Sequence, residues 1–143
     1  MSAAPNIRVA RDTDSDAVLG LLAELGYPTE PDALESRLER LDGEPSARML
    51  VADLDGEVVG FASLHVLHLV ERPPLGRLSA IVVTEPARRE GVGLALVDRV
   101  EREARAQGCD RLEVTSGEWR DEAHAFYRDI GFEETSKRFI KQL

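Results

Sequence analysis

An α/β (α+β) fold on one mixed central sheet is the architecture this chain predicts, and three observations carry it. Stretches that alternate apolar and polar residues interleave with stretches of helical period along the whole chain. A strand–helix–strand unit sits in the middle, from Leu78 to Thr115, and such a crossover makes parallel neighbours. The length of 143 residues suits a single domain over 1–143 with a core of fair size. The expected order is β-α-α-β-β-β-α-β-α-β-β, with about six to seven strands and about four flanking helices.

The elements justify themselves in turn. "NIRVARD" alternates and reads as the first strand. In "TDSDAVLGLLAELG", Thr13 and Asp16 have capping-box spacing, Val18, Leu21, Leu22 and Leu25 share one helix face, and Gly26 ends the helix. "LGYPTEP" follows as a proline-rich elbow with Tyr27 at its tip. The second helix presents Leu34, Leu38 and Leu41 inward. "ARMLVADLDGEVVGFASLHVLHLV" reads as a hairpin turning at Asp55-Gly56. After Arg72-Pro73-Pro74, "GRLSAIVVT" is a further strand. The helix after Gly93 buries Leu96, Val97, Val100 and Ala104 and shows outward pairs Asp98–Arg102 and Glu101–Arg105. Gly108 closes it. "RLEVTS" is a short strand, "EWRDEAHAFYRDI" a final helix closed by Gly131, and "FEETS" and "RFIKQL" two terminal strands.

Composition narrows the function classes. The net charge of −9 disfavours generic nucleic-acid binding. It favours approach of a cationic ligand, as solubility alone would also demand. No stretch approaches the ~20 apolar residues of a membrane span. The start "MSAAPNIRVARDTD" has no apolar signal region, and Cys109 is the only cysteine. Both fit a cytoplasmic protein. Cys109 lies between a helix-ending glycine and a strand, where a small buried residue is expected rather than a nucleophile.

The chemistry concentrates in "VVTEPARREGVG", Val82 to Gly93. Each glycine at a helix entry costs roughly 1 kcal/mol against alanine. Turn chemistry explains that cost, and so does a phosphate cradle, in which backbone N–H groups and the helix dipole meet an anion. The segment lacks the Gly-Lys-Ser/Thr ending of a Walker loop. It also lacks the third glycine of a dinucleotide fingerprint, since Leu96 stands there.

"RREGVG", Arg88 to Gly93, resembles the Arg/Gln-x-x-Gly-x-Gly/Ala motif of the GNAT family of N-acetyltransferases. "AHAFYRDIGF", Ala123 to Phe132, resembles the family's Ala-x-x-x-Tyr-x-x-x-Gly-Phe, at the family's distance of one helix and one strand. The element order matches across nearly the whole chain. "SGEWRDEAHAFY" and "LGYP" are similar to small bacterial members, with Gly117 in place of an asparagine. Glu90 stands where many members carry a basic residue or glycine, and its side chain is expected to point away from a phosphate. Arg77 stands where relatives often carry a glutamate that serves as candidate base.

The resemblance implies acetyl transfer from acetyl-CoA (coenzyme A as cosubstrate, no metal) to a primary amine by direct attack in a ternary complex. The pyrophosphate falls to Arg88, Arg89, Glu90, Gly91, Val92, Gly93 and Leu94. The pantetheine arm lies along Ile81, Val82 and Val83 in a splay between two strands, and Ser116, Ala123, Phe126 and Tyr127 complete the cofactor site. The Val82 amide is expected to face the thioester oxygen. Tyr127 is expected to act as general acid to the thiolate, since a phenol near pKa 10 transfers readily to a thiolate near 8.5. The base stays open between His65, an acidic residue and water. Candidate acceptor contacts are Tyr27 and Glu30 in the elbow and Phe61, Ser63 and His65 on the third strand. The acceptor is a small-molecule amine, expected to be cationic, with a peptide or protein amine as alternative. No nucleic acid and no membrane are expected as partners, and monomer and homodimer are both open. The competing readings are a non-catalytic coenzyme A-binding regulatory module and an acyltransferase that uses another acyl-CoA.

Overall fold

The computed structural model describes residues 4–115, 121–135 and 138–143. Among these residues five strands form one sheet in the order β1-β2-β3-β4-β5: β1 (Asn6–Val9), β2 (Ala47–Leu54), β3 (Glu57–Leu67), β4 (Leu75–Val83) and β5 (Arg111–Val114). β1 to β4 pair antiparallel, and β4 pairs with β5 in parallel, as the central crossover predicts. Four helices flank the sheet: α1 (Ser15–Leu25), α2 (Pro31–Asp42), α3 (Val92–Ala106) and α4 (Asp121–Asp129).

The sheet has fewer strands than expected. Among the described residues of the segments 132–136 and 138–143, none is in a strand. The β-prone pattern is present in the last six residues, yet Phe139 and Ile140 are exposed. A strand draws its hydrogen bonds from a neighbour, so a pattern without a paired edge makes none.

Each face of the sheet carries its own core. α3 buries Val92, Leu96, Val97, Val100 and Ala104 against Leu50, Ala62, Leu64 and Leu78. Full burial of such side chains stabilises by about 2 kcal/mol each. The outward pairing differs from expectation: the helical ion pair is Arg99–Glu103 at 3.1 Å. On the other face α1 and α2 cover Met49, Val51, Phe61 and Val82 with Val18, Leu21 and Leu34. Gly26 ends α1 with φ 105°. The hairpin turns at Asp55 and Gly56 with φ 53° and 89°, the double positive φ of a type I′ turn.

The start of α1 departs from the predicted cap. A 3₁₀ turn at Asp12–Asp14 precedes the helix, and Asp14 does the holding rather than Thr13. Its carboxylate accepts the Arg11 N–H at 2.7 Å and two bonds from Arg8, at 2.7 and 3.0 Å. Asp14 is buried, and the Arg8 guanidinium holds its pKa below the ordinary carboxylate range. That pair ties the N-terminus of α1 to β1.

Candidate active site

The site begins with an irregularity in β4. Ser63 pairs with Ala80 and Leu64 with Leu78, so Ser79 is an extra residue, a β-bulge. Its Oγ is hydrogen-bonded to Ser63 Oγ. A bulge bends its strand and ends regular pairing. Pairing of β4 with β5 runs from Leu75↔Arg111 to Leu78↔Val114 and stops there. Among the described residues β4 continues to Val83 with no partner on that side, the expected splay.

A cavity of about 720 Å³ opens beside the free edge. Ile81, Val82 and Val83 line it from β4, Arg88, Arg89, Gly91, Gly93 and Leu94 from the loop and α3, and Ala123, Phe126 and Tyr127 from α4. A smaller cavity of about 70 Å³ continues into the splay, lined by Tyr27, Ser79, Thr115 and again Tyr127. The Tyr127 ring is set edge-on to Phe132 at 5.7 Å and tilted against Phe126 at 5.8 Å.

The two glycines have separate reasons. Gly91 has φ 83°, and a Cβ there would meet no atom within 4 Å, so it turns the chain beside open space. At Gly93 a Cβ would lie 3.2 Å from Phe126 Cζ, so the missing side chain lets α4 approach. The first α3 backbone bond is Ala95 N–H to Gly91 O at 3.0 Å. The amides of Val92, Gly93 and Leu94 therefore have no partner within the helix. Arg88 Nε donates to Val83 O at 2.9 Å, and Arg89 is exposed beside Glu122 at 3.8 Å. Glu90 is exposed and is not part of either cavity wall. Val92 has its side chain in the core. Ser116 lies outside the described residues.

One expectation needs correction. The Val82 backbone faces β3, because a Cβ on Gly60 would lie 3.3 Å from Val82 O. The next residue but one agrees, with Thr84 N–H bonded to Val59 O at 2.8 Å. Peptide groups alternate along a strand, so Ile81 and Val83, not Val82, turn their N–H groups to the splay. Periodicity alone cannot decide which parity faces which neighbour.

The acceptor candidates scatter. Tyr27 is exposed at the small cavity. Glu30 is exposed at the start of α2, outside both cavities. Phe61 is only 4% exposed and sits in the α1/α2 core, a position unlike the cleft contact expected of it. Ser63 is buried under Ser79. His65 lies on β3 opposite Arg77, outside both cavity walls, and burial holds its imidazole pKa below the ordinary value. Burial likewise raises the Cys109 thiol, which fits a packed residue.

Glu24 is the residue that sequence reasoning missed. It ends α1 at the large cavity, accepting the Thr84 hydroxyl at 2.8 Å and the Glu85 N–H at 3.1 Å, with Arg88 at 3.9 Å. A carboxylate near a helix C-terminus opposes the dipole, and these donors offset that cost. Its acidic charge so close to a helix end is the one signal in the sequence.

A sequence profile described as the Acetyltransferase (GNAT) family matches residues 15–132. The chain belongs to the GNAT acetyltransferase family. It is similar to the aminoalkylphosphonate N-acetyltransferase of Salmonella typhimurium, 34% identical over 96% of this chain and 90% of that one. It is also similar to an aminoglycoside N(6')-acetyltransferase type 1 of Stenotrophomonas maltophilia, 35% identical over 96% of this chain and 92% of the other. Among solved structures, an aminoglycoside N-acetyltransferase in complex with CoA superposes with a TM-score of 0.89, at 22% identity, over 100% of this chain and 96% of that one. This GNAT chain thus has the fold at full length, with the larger cavity against the loop that carries "RREGVG".

Proposed function

We propose that this GNAT protein is an N-acetyltransferase that moves an acetyl group from acetyl-CoA to the primary amine of a small molecule. The observation that carries the reading is the place of Tyr127, on the wall that the large and small cavities share. A cosubstrate in the first and an amine in the second would meet beside its ring.

The residues present fit coenzyme A. A volume of about 720 Å³ lies in the range of ligand pockets. The free amides of Val92, Gly93 and Leu94, with Arg88 and Arg89 nearby, suit a diphosphate. The Ile81 and Val83 N–H groups offer the splay two backbone donors, and Ile81, on the wall of both cavities, is placed to stabilise an oxyanion. Acetyl-CoA supplies an activated thioester. Tyr127 holds the proton that the departing sulfur requires. The acceptor loses its proton to His65, to an acidic residue or to water, and burial holds the His65 imidazole pKa below its ordinary value. Relatives named for aminoglycosides and aminoalkylphosphonates support a small-molecule amine as acceptor.

The test is an amine panel read by release of free thiol, run on the wild-type chain and on Tyr127→Phe. Turnover should fall by about 10²–10⁴-fold in the variant, the usual worth of a general acid, with acetyl-CoA affinity retained. Coenzyme A binding with no turnover on any amine would instead establish a regulatory module.

A further inference from the structure

The α1/α2 face of the sheet is apolar only where the two helices cover it. Beyond Ala47 at the margin of that core, three residues stand in register across three strands: His65, Arg77 and Glu113. Gly76 faces the opposite side, since a Cβ on it would lie 3.2 Å from both Ala104 and Leu112. Arg77 therefore faces the α1/α2 side. Its Nη2 donates to Glu113 Oε2 at 3.1 Å. The other oxygen of Glu113 is 3.3 Å from Arg111 Nη2. Two guanidinium groups share one carboxylate, which leaves one positive charge in excess on a chain whose net charge is −9. The nearby Arg72–Asp110 pair is neutral and changes nothing in that count.

Arg77 is also available. Its side chain is 44% exposed, while its Nε–H is buried and has no hydrogen-bond partner among the described residues. Position connects it to the reaction. Ser79, two residues on along β4, lines the small cavity beside Tyr127, and Thr115, two residues on from Glu113, lines it too. Residues two apart on a strand are about 7 Å apart, within the reach of an arginine side chain. Arg77 is not itself on that wall; it is the next residue along this face from Ser79, which is.

We propose that Arg77 is a specificity-determining residue that binds an oxyanionic substituent, a phosphonate or carboxylate, carried by the acceptor amine on a short linker. The inference rests on the acetyl-transfer reading above. A guanidinium presents a planar fork that matches such oxyanions in two hydrogen bonds. The acceptor's amine then points toward Tyr127 while its anion is held by Arg77, with Glu113 fixing the fork from the other side. The overall acidity repels anions in general, so this local excess selects at short range.

Three acceptors of similar size separate the possibilities: 2-aminoethylphosphonate, propylamine and ethylenediamine. With β-alanine as a fourth, the phosphonate and carboxylate cases are compared. The wild-type kcat/KM should be at least tenfold higher for an anionic acceptor than for propylamine, with the difference in KM. In Arg77→Gln that ratio should fall to about one, and Arg77→Lys should recover part of it. Glu113→Gln should keep the preference. A merely structural ion pair would make Arg77→Gln and Glu113→Gln equivalent, and that outcome, or a wild-type preference for ethylenediamine, overturns the proposal. Calorimetry of 2-aminoethylphosphonate with the coenzyme A complex gives a readout free of turnover. Binding that depends on Arg77 without turnover would sink the acetyltransferase reading and keep the subsite. Turnover indifferent to Arg77 would do the reverse.

Discussion

The two ends of the cleft are built on the same strand and by different means. At the cradle end, residues 81–83 of β4 pair with β3 and, among the described residues, with nothing on the β5 side beside the large cavity, and the proposed work falls to backbone. Gly91 supplies a positive φ, Gly93 makes room for Phe126, and the first turn of α3 offers free amides. At the end proposed for the acceptor, Arg77 and Ser79 share the α1/α2 face while Leu78 is buried in the α3 core, and in that proposal the work falls to Arg77, Ser79 and their partners across the sheet. Backbone chemistry needs particular residue types at a fixed local spacing, so it leaves a motif. Side-chain chemistry assembled across strands leaves none, because its residues are far apart in sequence.

The most disruptive way to test the cradle end is Gly91→Val. The positive φ costs a β-branched residue about 1–2 kcal/mol, which should lower Tm by a few degrees. The new side chain also enters the cavity beside the free amides, so acetyl-CoA affinity should fall at least about 100-fold. Calorimetry that finds affinity unchanged would remove the cradle from the site altogether.

α1 serves both ends, with Glu24 at the cradle and Leu25 at both cavities, so its anchor tests whether they share one support. Asp14 is held below its ordinary pKa by Arg8. The unfolded chain therefore takes up this proton first as pH falls. The stabilisation is full above the unfolded value near 3.9 and is lost as pH drops through the lower folded value. Asp14→Asn should cost about 2 kcal/mol at neutral pH, the worth of hydrogen bonds to a charged group, and should flatten the acid limb of a stability profile. An unchanged acid limb would show that other carboxylates set it.

The same contrast explains what was legible in the chain. The four helices, the hairpin turn and the parallel crossover were readable, because each is dictated by local period and turn residues. That the loop after β4 would lie at a cavity was readable for the reason just given, and Tyr127, on the wall of both cavities, came with a motif of its own. The start of α1 was not, since Asp14 is chosen by Arg8 on a neighbouring strand rather than by capping spacing. Nor was the bulge at Ser79, which has no glycine to mark it, or the turn of Ile81 rather than Val82 toward the splay. Phe61 alternates like a cleft residue, yet α1 and α2 cover its part of the sheet. The terminal strands had the pattern without a partner edge.

A smaller effect is expected at Glu24, where two forces compete. Its carboxylate fixes Thr84, Glu85 and Arg88 ahead of the cradle, yet it also puts negative charge near a diphosphate site. Two hydrogen-bond donors and the Arg88 guanidinium already partner that charge, so positioning should dominate. Glu24→Ala should weaken acetyl-CoA by about tenfold, equal to the loss of one or two modest hydrogen bonds. Tighter binding in the variant, and a weaker salt dependence, would mean that repulsion is the larger force.

The smallest effects belong to the elbow, and they decide which charge the acceptor end reads. Tyr27 is 64% exposed and touches the small cavity from the rim. Tyr27→Ala removes part of one wall, so the acceptor KM should rise by about threefold, the order of an exposed aromatic contact. Glu30 lies outside both cavities and begins α2 without a side-chain cap bond. Glu30→Gln should leave KM unchanged for anionic and cationic acceptors alike. The acidic composition of the chain argues for a cationic acceptor held at this elbow, whereas the proposal above puts the deciding charge on Arg77. A tenfold rise in the KM of ethylenediamine on Glu30→Gln would return that role to the elbow, because no surface carboxylate away from the substrate can produce a change confined to the dication.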